Sequence, residues 1–186
     1  APHRLYPARK NEVNEVLMEK LLSLPSPYIA VLVGGSTKSR EFSVRFALDL
    51  ARLASQMANA INGSLLILTS RRTSNKVTSA VIKNITAPQT HFIWGTSEPN
   101  PYKIFLEKSD AIIVTGDSMS MCSEACFSEK PVYIFAPEKL VTKKHKRFHK
   151  ELYQSRLIYP SQFCPLYLLW TQEEFSYLHF RVHFFY

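Results

Sequence analysis

Short apolar runs alternate along this chain with longer amphipathic or polar segments, and this alternation most limits its possible folds. The runs lie at 28–33, 65–69, 91–94, 111–115 and 132–135, and three of them end directly before a glycine. Strands that are apolar at every position are buried on both faces. The pattern therefore predicts an α/β fold with a Rossmann-like parallel sheet and helices on both faces.

Helical patterns fill the intervals between the runs. Residues 43–61 carry polar side chains on one face and aliphatic ones on the other, and Asn62-Gly63 is a helix stop. Further helices are predicted at 74–86, after Pro101 and near 118–128. A helix at 9–24, ended by Pro25-Ser26-Pro27, precedes the first run.

These patterns divide the 186 residues into three segments. Residues 1–27 are predicted to be a connector helix from a preceding domain that is absent from this chain. Residues 28–155 form the Rossmann-like domain, and residues 156–186 are a tail to which we assign no structure. A length of this order suits one ordinary domain.

Cysteine content and hydropathy indicate a reduced, intracellular compartment. Cys122, Cys126 and Cys164 form neither a Cys-x-x-Cys pair nor an even disulfide framework. The most apolar stretch, near 157–170, is interrupted by two prolines, and the N-terminus lacks the plan of a signal peptide. We therefore expect neither secretion nor a transmembrane segment.

The net charge of +8 is concentrated in one place. Residues 143–150 contain five Lys or Arg and no acid, and His145 and His149 share a face without the glutamate of a zinc-binding helix. A solvated basic face is the simplest interpretation. An anionic membrane surface, an acidic partner and nucleic acid are alternatives, and the confinement of the charge to a single patch argues against nucleic acid.

Three loops after predicted strands hold the candidate binding residues. In the first, Gly34, Gly35, Ser36 and Lys38 precede a helix and match either a phosphate-binding loop or a tight turn with a helix cap. The loop matches neither the Walker A pattern nor Gly-x-Gly-x-x-Gly. In the second, Ser70, Arg71 and Arg72 suit a diphosphate, or are surface residues beside a helix cap.

The third loop leads into a helix. Asp117 or Ser118 would cap that helix, and the amides of Met119, Ser120 and Met121 would point at the crevice beyond the strands. Glu124 lies one turn beyond Ser120 on the same face, where it would accept hydrogen bonds from sugar hydroxyls. The alternative is a capping aspartate and a solvated glutamate. Cys122 and Cys126 are predicted to be buried apolar groups.

Seven motifs in this order resemble one family: the mitochondrial fission ("elongated mitochondria") proteins first described in plants, with their bacterial homologues. The motifs are Pro2-His-Arg-Leu5, Val31-Leu-Val-Gly-Gly-Ser-Thr-Lys38, Thr69-Ser-Arg-Arg-Thr73, Asn100-Pro-Tyr102, Asp117-Ser-Met-Ser-Met-Cys-Ser-Glu-Ala125, Lys130-Pro-Val-Tyr133 and Arg147-Phe-His149. The resemblance implies the C-terminal, donor-binding half of a glycosyltransferase-B-like fold. It implies that Glu124 binds ribose and that the amides of 118–121 hold a diphosphate, with 34–38 nearby.

The expected function is therefore binding of a nucleotide diphosphate sugar, with sugar transfer only if a separate N-terminal-domain partner or a second copy completes the cleft. No catalytic base, metal or cofactor is assigned. The first alternative is a non-catalytic fission-type scaffold, because plant members of the family are linked to recruitment of a dynamin-related protein. The expected location is the cytoplasm for a bacterial-type protein, or the cytosolic face of mitochondria for a eukaryotic one.

Overall fold

A computed structural model describes residues 15–155 and 159–160 of the chain. The strands are β1 (Tyr28–Val33), β2 (Ser64–Thr69), β3 (Gln89–Phe92), β4 (Ala111–Thr115), β5 (Val132–Phe135) and β6 (Tyr159–Pro160). The helices are α1 (Glu15–Leu22), α2 (Val44–Ala60), α3 (Asn75–Asn84), α4 (Tyr102–Lys108), α5 (Met119–Cys126) and α6 (Lys143–Gln154).

The strands form one parallel sheet in the order β3-β2-β1-β4-β5-β6. Val31 in β1 pairs with Ile67 in β2 on one side and with Ile113 in β4 on the other. The chain builds outward from β1 to β3, then returns to place β4 on the opposite side of β1. The strand order therefore reverses between β1 and β4, and open α/β sheets bind ligands in a crevice beyond the carboxyl ends of the strands at such a point. The Rossmann-like prediction is confirmed.

Alternation along the strands separates the core into two layers. Ile29, Val31 and Val33 point to the layer covered by α2 and α3, whereas Ala30 and Leu32 point to the layer covered by α1, α4, α5 and α6. All residues of β1, β2 and β4 except Tyr28 are buried. The continuous apolar runs of the sequence thus reflect helices on both faces.

The prediction for the third strand is wrong in position by two residues. The apolar run 91–94 predicts it, but β3 pairs through Gln89–Phe92. Within the described residues β3 is an edge strand, with Thr90 and Phe92 buried and His91 exposed. A half-buried edge strand alternates polar with apolar residues, so a continuous apolar run does not locate it.

Both ends of the described chain pack on the sheet. Leu21 of α1 is buried, and the Tyr28 hydroxyl donates to the carbonyls of Leu21 and Leu24 at 2.8 and 3.2 Å. Residues 9–14 of the predicted connector helix lie outside the described residues. β6 adds to β5 within the segment predicted as a tail.

The basic run 143–150 lies in helix α6, whose cations are exposed as the sequence indicates. Phe148 and Leu152 pack against the core on the opposite face. Thr142 caps the helix and exchanges hydrogen bonds with His145.

No helix in the described part of the chain is long and apolar enough to cross a membrane.

The central strands should dominate stability. We expect Ile113→Ala, at a fully buried position in β4, to lower the free energy of unfolding by about 2–5 kcal/mol. Leu48→Ala on the exposed face of α2 is the control and should change it by less than about 0.5 kcal/mol. Chemical denaturation measures both, and equal effects would contradict the assignment of the core.

Candidate functional site

The loops that follow β1, β2 and β4 meet at the crevice, and a buried carboxylate joins them. Asp117 Oδ2 accepts a hydrogen bond from the Gly35 amide at 3.0 Å and forms an ion pair with Arg72 Nη2 at 2.8 Å. The Asp117 side chain is fully buried. Arg72 Nη1 also donates to the carbonyls of Gly35 and Ser36, both at 3.3 Å. One Asp–Arg pair thus fixes three loops.

Gly34 and Gly35 are required by close packing within this network. A Cβ atom on Gly34 would lie 2.3 Å from both carboxylate oxygens of Asp117, and one on Gly35 would lie 1.9 Å from the Arg72 carbonyl oxygen. Their amides donate to Thr115 Oγ1 at 2.7 Å and to Asp117. Both amides predicted to face phosphate therefore have partners inside the protein.

The loop after β2 is a compact turn. Thr73 Oγ1 donates to the carbonyls of Val33, at the end of β1, and of Gly34, and it accepts from the Ser70 amide at 2.9 Å. Ser70 Oγ accepts from the Arg72 amide at 3.3 Å. Ser70 and Arg72 are therefore occupied in holding the turn against β1. Arg71 is exposed at the edge of the crevice loops.

The other residues of the loop after β1 are likewise either hydrogen-bonded within the protein or exposed to solvent. Ser36 Oγ accepts from the Phe42 amide at 2.9 Å, and Thr37 pairs with Arg40 in an isolated bridge. Lys38 lies at the tip and is exposed. Of the residues predicted in the first two loops, Lys38 and Arg71 present their charges to solvent.

Helix α5 begins where the sequence predicts, with Ser118 as its N-cap. The predicted side-chain cap is wrong: Ser118 makes no capping hydrogen bond, and the Asp117 carboxylate turns instead to Gly35 and Arg72. No cap side chain among the described residues therefore occupies the first amides, those of Met119, Ser120 and Met121. They sit at the positive end of the helix dipole, beside the crevice.

Glu124 contacts a residue to which the sequence analysis gives no role. The Tyr102 hydroxyl, at the start of α4, donates to Glu124 Oε2 at 2.5 Å. Burial and this hydrogen bond raise the pKa of Tyr102 well above its ordinary value, so the hydroxyl stays protonated. The sequence marks Tyr102 only as the last residue of the motif Asn100-Pro-Tyr102.

A second unassigned residue, His149 of α6, lies over the loop after β4. A Cβ on Gly116 would come within 2.6 Å of His149 Cε1, and the imidazole hydrogen-bonds the Gly116 backbone. Desolvation, together with the charge of His145, lowers the pKa of His149 to about 4. The ring is therefore neutral near pH 7, and its buried Nε2 has no partner among the described residues.

The two described cysteines behave as apolar groups. Cys122 is buried and Cys126 partly so, and burial raises the pKa of both thiols, that of Cys126 to about 11. Thiols with raised pKa values are poor nucleophiles and metal ligands at neutral pH. No cluster of metal-binding side chains occurs in the described ranges.

Fold and site together define a Rossmann-like α/β domain whose loops after β1, β2 and β4 meet at Asp117. A family model described as mitochondrial fission ELM1 matches residues 1–181. The chain belongs to this family, as its motifs indicate.

Two curated relatives match over similar lengths. Mitochondrial fission protein ELM1 of Arabidopsis thaliana is 33% identical over 72% of this chain and 31% of its own length. Uncharacterized protein RP120 of Rickettsia prowazekii is 37% identical over 70% of this chain and 37% of its own. The chain thus spans about a third of the length of these relatives.

Solved structures give weaker likenesses. A MAR1 ribonuclease from Caenorhabditis elegans is 10% identical with a TM-score of 0.46, covering 84% of this chain and 89% of that one. UDP-GlcNAc 2-epimerase from Neisseria meningitidis is 14% identical with a TM-score of 0.39, covering 89% and 44%. Neither likeness bears on what this chain binds.

The Asp117–Arg72 ion pair should contribute far more to the free energy of unfolding than a surface pair of the same residue types. We expect Asp117→Ala to lower the free energy of unfolding by about 2–4 kcal/mol, because it leaves the Gly35 amide and Arg72 without their acceptor. Asp49→Ala removes the exposed Asp49–Arg52 pair and should cost less than about 1 kcal/mol. Similar losses in urea denaturation would show that the network does not hold the loops.

The buried His149 should make stability fall in mild acid. Its pKa drops from 6.5 to about 4 on folding, so the unfolded chain takes up a proton first as pH falls. The contribution of His149 to the free energy of unfolding is therefore fully present above about pH 6.5. It falls by about 2–3 kcal/mol as the pH is lowered towards 4.

The test is the pH dependence of the free energy of unfolding in His149→Gln, which should be flatter between pH 6.5 and 4 than in the wild type. Partial desolvation and the charge of Lys20 also lower the pKa of His91, so this residue contributes in the same direction, and it remains in both proteins. Identical slopes would contradict the assignment.

Proposed function

We propose that this domain binds a nucleotide diphosphate sugar in the crevice between β1 and β4, as the donor-binding half of a glycosyltransferase-B-like protein. The observation that carries the proposal is the start of α5 at this crevice, with no cap side chain on its first amides. A helix N-terminus in that position favours a phosphate.

The charges around the crevice support an anionic ligand. The Asp117 carboxylate would repel a diphosphate, but the Arg72 guanidinium compensates it at 2.8 Å. The exposed cations of the neighbouring loops, Lys38 and Arg71, are then left to attract the ligand. In this arrangement Arg72 preserves the shape of the site, and Arg71 is the arginine assigned to the diphosphate.

Glu124 is assigned to the ribose of the nucleotide. Its half-buried carboxylate lies on the exposed stripe of α5 with Ser120, one turn from the helix start. A carboxylate accepts charge-assisted hydrogen bonds from two neighbouring hydroxyls. Diphosphate at the helix start and ribose at Glu124 would place a nucleotide along α5.

In a transfer reaction the domain would act electrostatically. The α5 amides, Lys38 and Arg71 would stabilise the negative charge of the departing nucleotide diphosphate. No described residue is assigned as the base that activates an acceptor. Since the chain spans about a third of its curated relatives, transfer would require a further domain, a second copy or another protein to complete the cleft.

A non-catalytic, partner-binding domain is the second candidate. The family description favours it, and several large apolar side chains are exposed, including Leu22 at 78% and Trp94 at 49%. Partner capture that is independent of nucleotide would support this alternative. Nucleic-acid binding through α6 is a third possibility, and its signature would be affinity that falls steeply with salt.

The test is calorimetric titration of the full chain with UDP-, GDP-, ADP- and CMP-sugars. We expect one nucleotide class to bind. Glu124→Ala should weaken its binding by about 1.5–3 kcal/mol, roughly tenfold or more, through loss of the charge-assisted ribose contact.

Glu151→Ala, which removes an exposed carboxylate from α6, is the matched control and should leave the affinity unchanged. No binding by the folded wild-type chain would contradict the proposal and favour the partner-binding alternative. Equal loss in both variants would show that the effect is not specific to Glu124.

A further inference from the structure

The contact between Tyr102 and Glu124 carries an inference that rests on the proposed nucleotide site. We infer that Tyr102 is a positioning residue, which orients Glu124 towards the ribose and makes the crevice selective for ribonucleotides over 2′-deoxyribonucleotides.

The fold brings these two residues to the edge of the sheet where the ligand loops lie. Helices α4 and α5 precede and follow β4 in one layer, and crossover helices run antiparallel to the strands of a parallel sheet. α5 therefore begins at the carboxyl edge, and so does α4, of which Tyr102 is the first residue. The hydrogen bond of 2.5 Å joins α4 to the second turn of α5.

Tyr102 is itself held in place. Its amide donates to Asn100 Oδ1 at 3.0 Å, and Phe105, one turn further along α4, is fully buried. At the other end of the helix, Lys130 Nζ donates to the carbonyls of Leu106 and Glu107, both at 2.6 Å. A hydroxyl on a helix fixed at both ends is a rigid anchor for a flexible glutamate.

The contact leaves Glu124 able to bind a ligand. A carboxylate offers about four acceptor sites, and the Tyr102 hydroxyl takes one of them on Oε2. A glutamate side chain has several rotatable bonds, and its freedom is lost when it binds a ligand. Because Tyr102 has already restricted that freedom, the remaining acceptor sites are pre-organised for a pair of hydroxyls.

Protonation fixes the direction of the hydrogen bond. Burial together with Glu124 keeps the Tyr102 hydroxyl protonated at any physiological pH, so it donates and the carboxylate accepts. A carboxylate carries no proton of its own, so Glu124 offers the ligand only acceptor sites, which ribose hydroxyls match as donors. A deoxyribose lacks one of these donors and leaves an oriented acceptor unpaired.

The test compares Tyr102→Phe with the wild-type chain by calorimetry, using the nucleoside diphosphate of whichever class binds and its 2′-deoxy analogue. We expect affinity for the ribonucleotide to fall about tenfold and affinity for the deoxy analogue to change little, so that selectivity is lost. Tyr153→Phe removes an exposed hydroxyl from α6 and should leave both affinities unchanged.

Two further variants separate positioning from a structural role. Glu124→Asp keeps the carboxylate but shortens its reach, and should lose selectivity in the same way even if Tyr102→Phe folds poorly. In a double-mutant cycle, Tyr102→Phe should add nothing to Glu124→Gln, because the tyrosine acts only through the glutamate.

Each contrary outcome points to a different failure. Equal weakening of both ligands by Tyr102→Phe, or additive effects in the cycle, would mean that Tyr102 is only a strap between helices. Unchanged selectivity in Tyr102→Phe and Glu124→Asp, with a wild type that binds, would overturn this inference alone. A folded wild type that binds neither ligand would overturn both the inference and the proposed function.

Discussion

The buried Asp117 carboxylate is the interaction on which the rest of the site depends. It lies at the reversal of strand order and binds the Gly35 amide and the Arg72 guanidinium together. Loops that follow three different strands therefore take one fixed arrangement. A charge with no exposed surface persists in such a place only when it is paired and hydrogen-bonded. Removing any partner would leave polar groups unpaired beneath the crevice.

The network also divides the candidate residues by role. Gly34, Gly35 and Arg72 are committed to the protein's own packing and hydrogen bonds. By contrast, the amides at the start of α5 have no side-chain cap, Lys38 and Arg71 are exposed, and Glu124 is half-buried with a hydrogen bond from Tyr102. The first group supplies a rigid frame, and the second group has the charges that the proposed ligand requires.

Local patterns predicted much of this fold, since burial on both faces leaves a direct record in sequence. The runs that became β1, β4 and β5 coincide with their strands, whereas the edge strand β3 was misplaced because only alternate residues are buried there. Contacts between residues that are far apart in the sequence produce no such local pattern. Asp117 and Arg72 were assigned separately to a cap and to a diphosphate, and their mutual pairing depends on how the loops converge. Tyr102 was visible only as part of a motif.

The start of α5 is the proposed binding place of the nucleotide diphosphate. Amide chemical-shift mapping of the isotope-labelled chain during titration with the nucleotide diphosphate sugar tests this most directly. We expect the largest shifts on Met119, Ser120, Met121 and Glu124 and none in α3, which covers the other face of the sheet. Shifts confined to the basic helix α6, or none at saturating ligand, would contradict it.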